Sequence, residues 1–176
     1  MKWLDEILTS ENVVETIRKN SSLLFELIPE LEKMVGFDHK HPHHHLDVWE
    51  HTLYALSLSP SRLDVRMALL FHDIGKPFSY TEGEVRHFHK HPEKSGEITE
   101  VVLRRLNYSD DFIKEICYLV SFHDEEIEKS EVKQNKSLLY KSFLVQQCDT
   151  LAHHPAKLSK RIKYLQKVRK YFFSLE

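Results

Sequence analysis

Histidine occurs thirteen times in these 176 residues, and imidazole is the side chain best suited to metal ligation and to proton transfer near neutrality. Several of these histidines fall on the apolar faces of segments with helical periodicity. His51 lies three after Val48 and four before Ala55, His72 three after Leu69 and four after Ala68, and His123 three after Val120 and four after Leu119. Residues three and four apart share a helix face, so all three imidazoles point inward. Asp149, four after Val145 and three before Ala152, sends a carboxylate the same way. Burying such groups without partners costs on the order of 1–3 kcal/mol each, so the interior must hold a compensating charge.

Taken one at a time, a buried imidazole is more often hydrogen-bonded than ligated. Several imidazoles and two carboxylates converging from separate helices are most simply satisfied by a divalent cation. The adjacent pair His72-Asp73 centres this reading. Neighbouring helical residues project about 100° apart, so both reach one ion only at a helix end, which Gly75 is expected to supply. Histidine and carboxylate without thiolate suit a catalytic first-row metal with open positions: iron, manganese, zinc, nickel or cobalt, with magnesium less favoured.

The elements that position these residues read as helices. Hydrophobic residues make up 41% and charged residues 30% of the chain, enough for one domain with a sizeable core. Four glycines are too few for a many-stranded sheet and exclude a Gly-rich phosphate loop. Period-3.6 stripes predict helices over about 11–18, 22–34 with a break at Pro29, 48–58, a segment from Ser61 that stops at Gly75, 92–106, 110–123, 137–152 and 155–173. Asp47 and Glu50 form a capping-box pattern for the third of these, and Ser109 caps the helix after residue 109. A small β-hairpin is expected over 78–88, around Glu82-Gly83. The expected architecture is all-α: an N-terminal helical segment, 1–36, packed on a domain spanning 37–176, the whole forming one compact body.

No apolar run exceeds the five residues Met67 to Phe71, against the roughly 20 a membrane span needs, so no membrane partner is expected. The acidic start, Asp5-Glu6, is unlike a signal peptide, and Cys117 and Cys148 are two isolated thiols in apolar stripes. A reducing, cytoplasmic setting is expected. With 25 basic and 27 acidic residues the formal charge is −2, so no global field recruits polyanions. Locally, the last helix carries Lys157, Lys160, Arg161, Lys163, Lys167, Arg169 and Lys170, a face that is usually solvated and could also touch RNA.

The ordered set His51, His72-Asp73 and Asp149 resembles the signature of the HD-domain metal-dependent phosphohydrolases. The strings Asp47-Val48-Trp49-Glu50-His51-Thr52, His72-Asp73-Ile74-Gly75-Lys76-Pro77 and His91-Pro92-Glu93-Lys94-Ser95 are similar to the HD module that follows the catalytic head of some bacterial CCA-adding tRNA nucleotidyltransferases. The resemblance covers about residues 37–173. The paired aspartates of that head have no counterpart here, so nucleotide addition is not implied. What is implied is an HD helical fold and hydrolysis of a nucleotide or other small phosphate ester by metal-activated water. His51, His72, Asp73 and Asp149 would hold one ion. In the binuclear branch Asp73 would bridge to a second ion held by His91 and His123; with one ion these two would contact phosphate.

Lys76, a turn beyond His72, can meet a phosphate oxygen as a point charge or simply complement a helix C-terminus. His39, His41, His43, His44 and His45 are expected to be mostly solvated, with His44 or His45 at the site mouth. His87 and His89 alternate on one face of the expected hairpin, from which His89 could reach substrate, while His153 and His154 are assigned a capping role. The alternative function is a non-catalytic, metal-stabilised module that binds RNA or a protein.

Overall fold

The computed structural model describes residues 2–40 and 45–173. Its α-helices are α1 (Trp3–Thr9), α2 (Val13–Lys19), α3 (Ser21–Leu27), α4 (Pro29–Glu32), α5 (Val48–Ser57), α6 (Leu63–Phe71), α7 (His91–Arg105), α8 (Asp110–Ser121), α9 (Lys129–Gln134), α10 (Lys136–Ala152) and α11 (Ser159–Phe173). The described residues contain no sheet. The fold is the all-α one expected.

Local chemistry sets most boundaries. Asp47 Oδ1 accepts from the Glu50 N–H at 2.8 Å, starting α5, while its other oxygen accepts from the Gly36 N–H at 3.1 Å. The reciprocal half of the capping box does not form, because the Glu50 carboxylate is taken by Arg18 of α2 in a two-pronged pair. Ser109 Oγ and Asn135 Oδ1 cap α8 and α10 in the same way. Gly36, at φ +68°, ends the N-terminal stretch in the left-handed region that glycine tolerates.

Two expectations fail. The hairpin over 78–88 shrinks to a single antiparallel bridge, Thr81 to His87, after a 3-10 turn at Lys76–Phe78. With Lys40 O accepting from the Arg86 N–H and the Arg86 side chain over the Phe37 and Tyr80 rings, this segment packs as a loop onto residues 37–40. The helix before Gly75 ends at Phe71, so the doublet lies in the turn after α6. Within the polar stretch 125–136, Glu128 and Glu131 build a capping box for the short helix α9.

Helix α10 is the axis: it runs against α5, α6, α8 and α11, and Val145, Cys148 and Ala152 join the core. That core also takes Leu53 and Leu56 from α5, Ala68 and Leu69 from α6, Ile116 and Val120 from α8, and Leu4 to Met34 from the N-terminal helices. A smaller cluster, with Val132, Phe143, Val168 and Phe172, seats α9 and α11 on the far end of α10.

One polar tie joins three of these helices. Lys141 of α10 reaches Asp64 of α6 at 3.0 Å and Glu115 of α8 at 2.6 Å. Burial would raise the Asp64 carboxyl, but bonds from Arg62, Lys141 and the Val65 N–H win and depress it from 3.8 to about 2. A depressed carboxylate contributes stability above its unfolded value that is lost as pH falls through the folded one. Asp64→Asn is therefore expected to lower stability at pH 7 by about 1 kcal/mol, and the difference from wild type should vanish between pH 4 and 2 in urea titrations.

Candidate metal centre

Helices α6, α8 and α10 end close to one another, and each end carries an acid–imidazole pair: His72-Asp73, His123-Asp124, and Asp149 with His153. The last turn of a helix has unpaired carbonyls, and here the imidazoles use them. His72 Nδ1–H donates to Leu69 O at 2.7 Å, His123 to Val120 O at 2.7 Å and His153 to Asp149 O at 2.8 Å. His91, at the start of α7, donates to Phe88 O at 3.1 Å, His51 to Ala152 O at 3.3 Å, and His39 to Leu46 O at 3.0 Å. A carbonyl only accepts, so in each ring Nδ1 holds the proton. With Nδ1 so occupied, Nε2 is the ring atom left for the centre in His51, His72, His91 and His123.

Asp73 stands between two groups of these atoms. Its Oδ2 is 3.4 Å from His72 Nε2 and 3.8 Å from His51 Nε2, and its Oδ1 is 3.3 Å from His91 Nε2 and 3.9 Å from His123 Nε2. Asp149 Oδ1 closes the first group, 2.9 Å from His51 Nε2 and 3.6 Å from His72 Nε2. Ligand atoms about 2.1 Å from a common tetrahedral ion lie about 3.4 Å apart, which these separations match. Three buried polar atoms here, His72 Nε2, Asp73 Oδ1 and His91 Nε2, have no hydrogen-bond partner among the described residues. Orphaned atoms facing one another at such spacing, in a set of nitrogen and carboxylate oxygen, fit a divalent cation. Among the described residues three ligand trios emerge: His51, His72 and Asp73; Asp73, His91 and His123; and His51, Asp149 and His153.

The electrostatics of the protein alone agree. Burial opposes both carboxylates, yet the charges of His72 and Lys76 on Asp73, and of His153 and His51 on Asp149, hold both well below the usual range. Burial would lower His72, but the Asp73 and Asp149 carboxylates push it up to about 9. Burial instead dominates at His39 and His153, each down to about 4.

Every metal-ligand candidate, His51, His72, Asp73, His91, His123 and Asp149, falls within this cluster. Lys76 is buried beside it, donating to Asp73 Oδ2 at 2.7 Å and 3.1 Å from His39 Nε2. A cleft of about 230 Å³ opens onto Asp73, Lys76, His87, His91 and Arg161. His87 borders it, whereas His89 is exposed, stacked on His87 at 5.7 Å, and outside the lining. His44 lies outside the described residues.

Four participants escape the sequence pattern. His39 is buried rather than solvated, because the bridge between Asp38 and Asp47 folds its strand back over Lys76. His153 does more than cap; its place four residues after Asp149 was a usable signal. Asp124 reaches to 3.6 Å from His91 Nε2. Arg161 extends from the basic helix toward Asp149 and Asp124, a reach that nothing in its sequence context marks. Gly75 also has another task than expected. Its φ is −77°, so no left-handed turn is needed, but a Cβ there would sit 2.6 Å from Ser95 N and 2.7 Å from His91 O.

Residues 43–164 match the HD domain family. This chain is a member of that family. It is 38% identical over 114 residues to the CC-adding tRNA nucleotidyltransferase of Thermus thermophilus, covering 60% of this chain and 26% of that protein. It is 35% identical over 109 residues to the A-adding tRNA nucleotidyltransferase of Deinococcus radiodurans, covering 57% and 25%. The HD-domain chain thus spans about a quarter of the length of these curated relatives.

Two outcomes are expected. Gly75→Ala should destabilise the protein by about 2 kcal/mol or more, because backbone rather than a flexible side chain must yield, and chelator-resistant metal content should fall with it. Metal binding should release a proton from His72, so affinity for Mn²⁺ should rise about tenfold per pH unit above neutrality and level off near pH 9, measurable by calorimetry in buffers of different ionisation enthalpy.

Proposed function

We propose that this HD-domain protein is a metal-dependent phosphohydrolase acting on a nucleotide or another small phosphate ester. The observation that carries the reading is the set of unpartnered His72 Nε2, Asp73 Oδ1 and His91 Nε2 facing one another beneath an open cleft. A purely structural polar core would pair these atoms with one another or with backbone.

In this reading His51, His72, Asp73 and Asp149 hold one divalent transition-metal ion. Asp73, with one oxygen toward each group, can bridge to a second ion held by His91 and His123. With one ion, His91 and His123 instead face the phosphate. A cation held there would polarise the phosphoryl oxygen and bring water toward a pKa of about 7. The chain's own residues do the rest. The carbonyl-tethered Nδ1 atoms keep the rings from turning, and the buried Asp73 and Asp149 stay ionised for the same reason they stay oriented. Lys76 spends two of its three ammonium hydrogens on Asp73 and His39 and has one left for a phosphoryl oxygen at the cleft.

The test is a panel of phosphomonoesters and phosphodiesters run with Fe²⁺, Mn²⁺, Zn²⁺, Ni²⁺ and Co²⁺ on wild type and Asp73→Ala. Changing groups behind a ligand costs about 10–100-fold, so loss of the shared ligand should cost more than that while helicity is retained. Metal-loaded protein that turns over no ester in the panel would overturn the assignment.

A second reading has its own observation. On α11, Arg169 lies 5.8 Å from the ring of Phe173, which is 61% exposed, and Lys167 lies 5.9 Å from Tyr171. Basic residues interleaved with an exposed aromatic suit RNA, and the relatives named above act on tRNA. A non-catalytic module would bind tRNA with a salt-dependent affinity lost in Lys167→Glu/Arg169→Glu, and would show no esterase activity.

A further inference from the structure

We infer that Arg161 is a phosphate-binding residue of this centre, with its guanidinium fork reserved for the anionic group of the ligand. The inference rests on the phosphohydrolase reading for its substrate class.

Among the described residues, the lysine and arginine side chains bordering the 230 Å³ cleft are Lys76, Arg86 and Arg161. Two are committed. Lys76 is bonded to Asp73 and His39, and Arg86 donates Nε–H to Glu82 at 2.9 Å and Nη1–H to Asp38 O while lying over two aromatic rings. Arg161 differs. Its Nη1 is 3.5 Å from Asp149 Oδ2 and its Nη2 is 3.8 Å from Asp124 Oδ1. Charge-assisted N–H···O bonds run at about 2.7–2.9 Å, so both separations give attraction without a hydrogen bond. Of the three, Arg161 is therefore the one whose side chain makes no hydrogen bond among the described residues.

Its position adds to this. A second cleft of about 390 Å³ lies beyond Asp124, walled by Gln146, Lys160 and Tyr164, and Arg161, His123 and Asp149 border both. The guanidinium thus sits at the junction of the two spaces, 40% exposed and within reach of a ligand in either. Asp149, its nearer counter-charge, already belongs to the ligand set, with Oδ1 2.9 Å from His51. A cation there competes with Arg161 for Asp149 and leaves the fork to an anion. Planar two-pronged donation matches two oxygens of one phosphate, and Lys cannot reproduce it.

The test titrates inorganic phosphate into wild type, Arg161→Gln and Arg161→Lys by calorimetry, with and without saturating Mn²⁺, after Mn²⁺ stoichiometry has been measured for each. Arg161→Gln is expected to weaken phosphate by about 10-fold or more, Arg161→Lys by less, with Mn²⁺ stoichiometry unchanged. Equal phosphate affinity in wild type and Arg161→Gln, absence of phosphate binding to either form of the wild type, or loss of Mn²⁺ together with phosphate would overturn the inference. In the last case Arg161 is a strut for the ligand set. Failure of the metal reading shows separately, as wild type that takes up no stoichiometric Mn²⁺. If phosphate still binds there and weakens in Arg161→Gln, the role of Arg161 stands without the metal.

Discussion

Everything in this structure is arranged around the cost of burying Asp73. A carboxylate with 1% exposure has to be met by positive charge or by many donors, because its ionised form is otherwise unaffordable in a protein interior. The protein meets it with one lysine and the Nε2 edges of His51, His72, His91 and His123, each within 4 Å of one of its oxygens. In each ring Nδ1 is tied to a backbone carbonyl, so it is Nε2 that faces the carboxylate. The same geometry that half-satisfies a carboxylate is thus the geometry that surrounds a cation.

The supporting architecture follows from helix ends. Terminal carbonyls of α6, α8 and α10 need donors, and the histidines placed at those ends supply Nδ1–H. One hydrogen bond therefore does two jobs: it terminates a helix and locks a ring. The negative ends of three helix dipoles directed at one region also favour a positive charge there. Gly75 lets the turn bearing Asp73 lie against the start of α7, which brings His91 to the opposite side of the carboxylate. Removing any one of these devices disturbs several ligands, since they share backbone as well as charge.

The function proposed for this HD-domain protein depends on the same economy. The cleft above the centre is lined by groups already engaged in holding one another, which leaves few donors for a ligand. Those that are left, on Lys76 and Arg161, lie on either side of the carboxylates, from the turn after α6 and from α11. The exposed basic face of α11 continues away from the cleft, so an anion larger than a mononucleotide would meet further positive charge there.

Much of the centre was legible without coordinates. His51, His72, His123 and Asp149 sit on apolar stripes, and period alone brings such residues inside; the cost of burying them together implies a shared partner. Helix class, the Asp47 and Ser109 caps and the break at Pro29 follow from local chemistry that does not depend on what lies far away in the chain. Tertiary structure decided the rest. No periodicity tells that His39 folds against Lys76, that Asp124 and Arg161 face the same cleft, or that the expected hairpin yields its pairing to contacts with residues 37–40. Those placements depend on where loops cross and how helices dock, and such contacts join residues tens of positions apart. Side-chain type and spacing determine which groups cannot be left in the interior alone; only packing decides which of them meet.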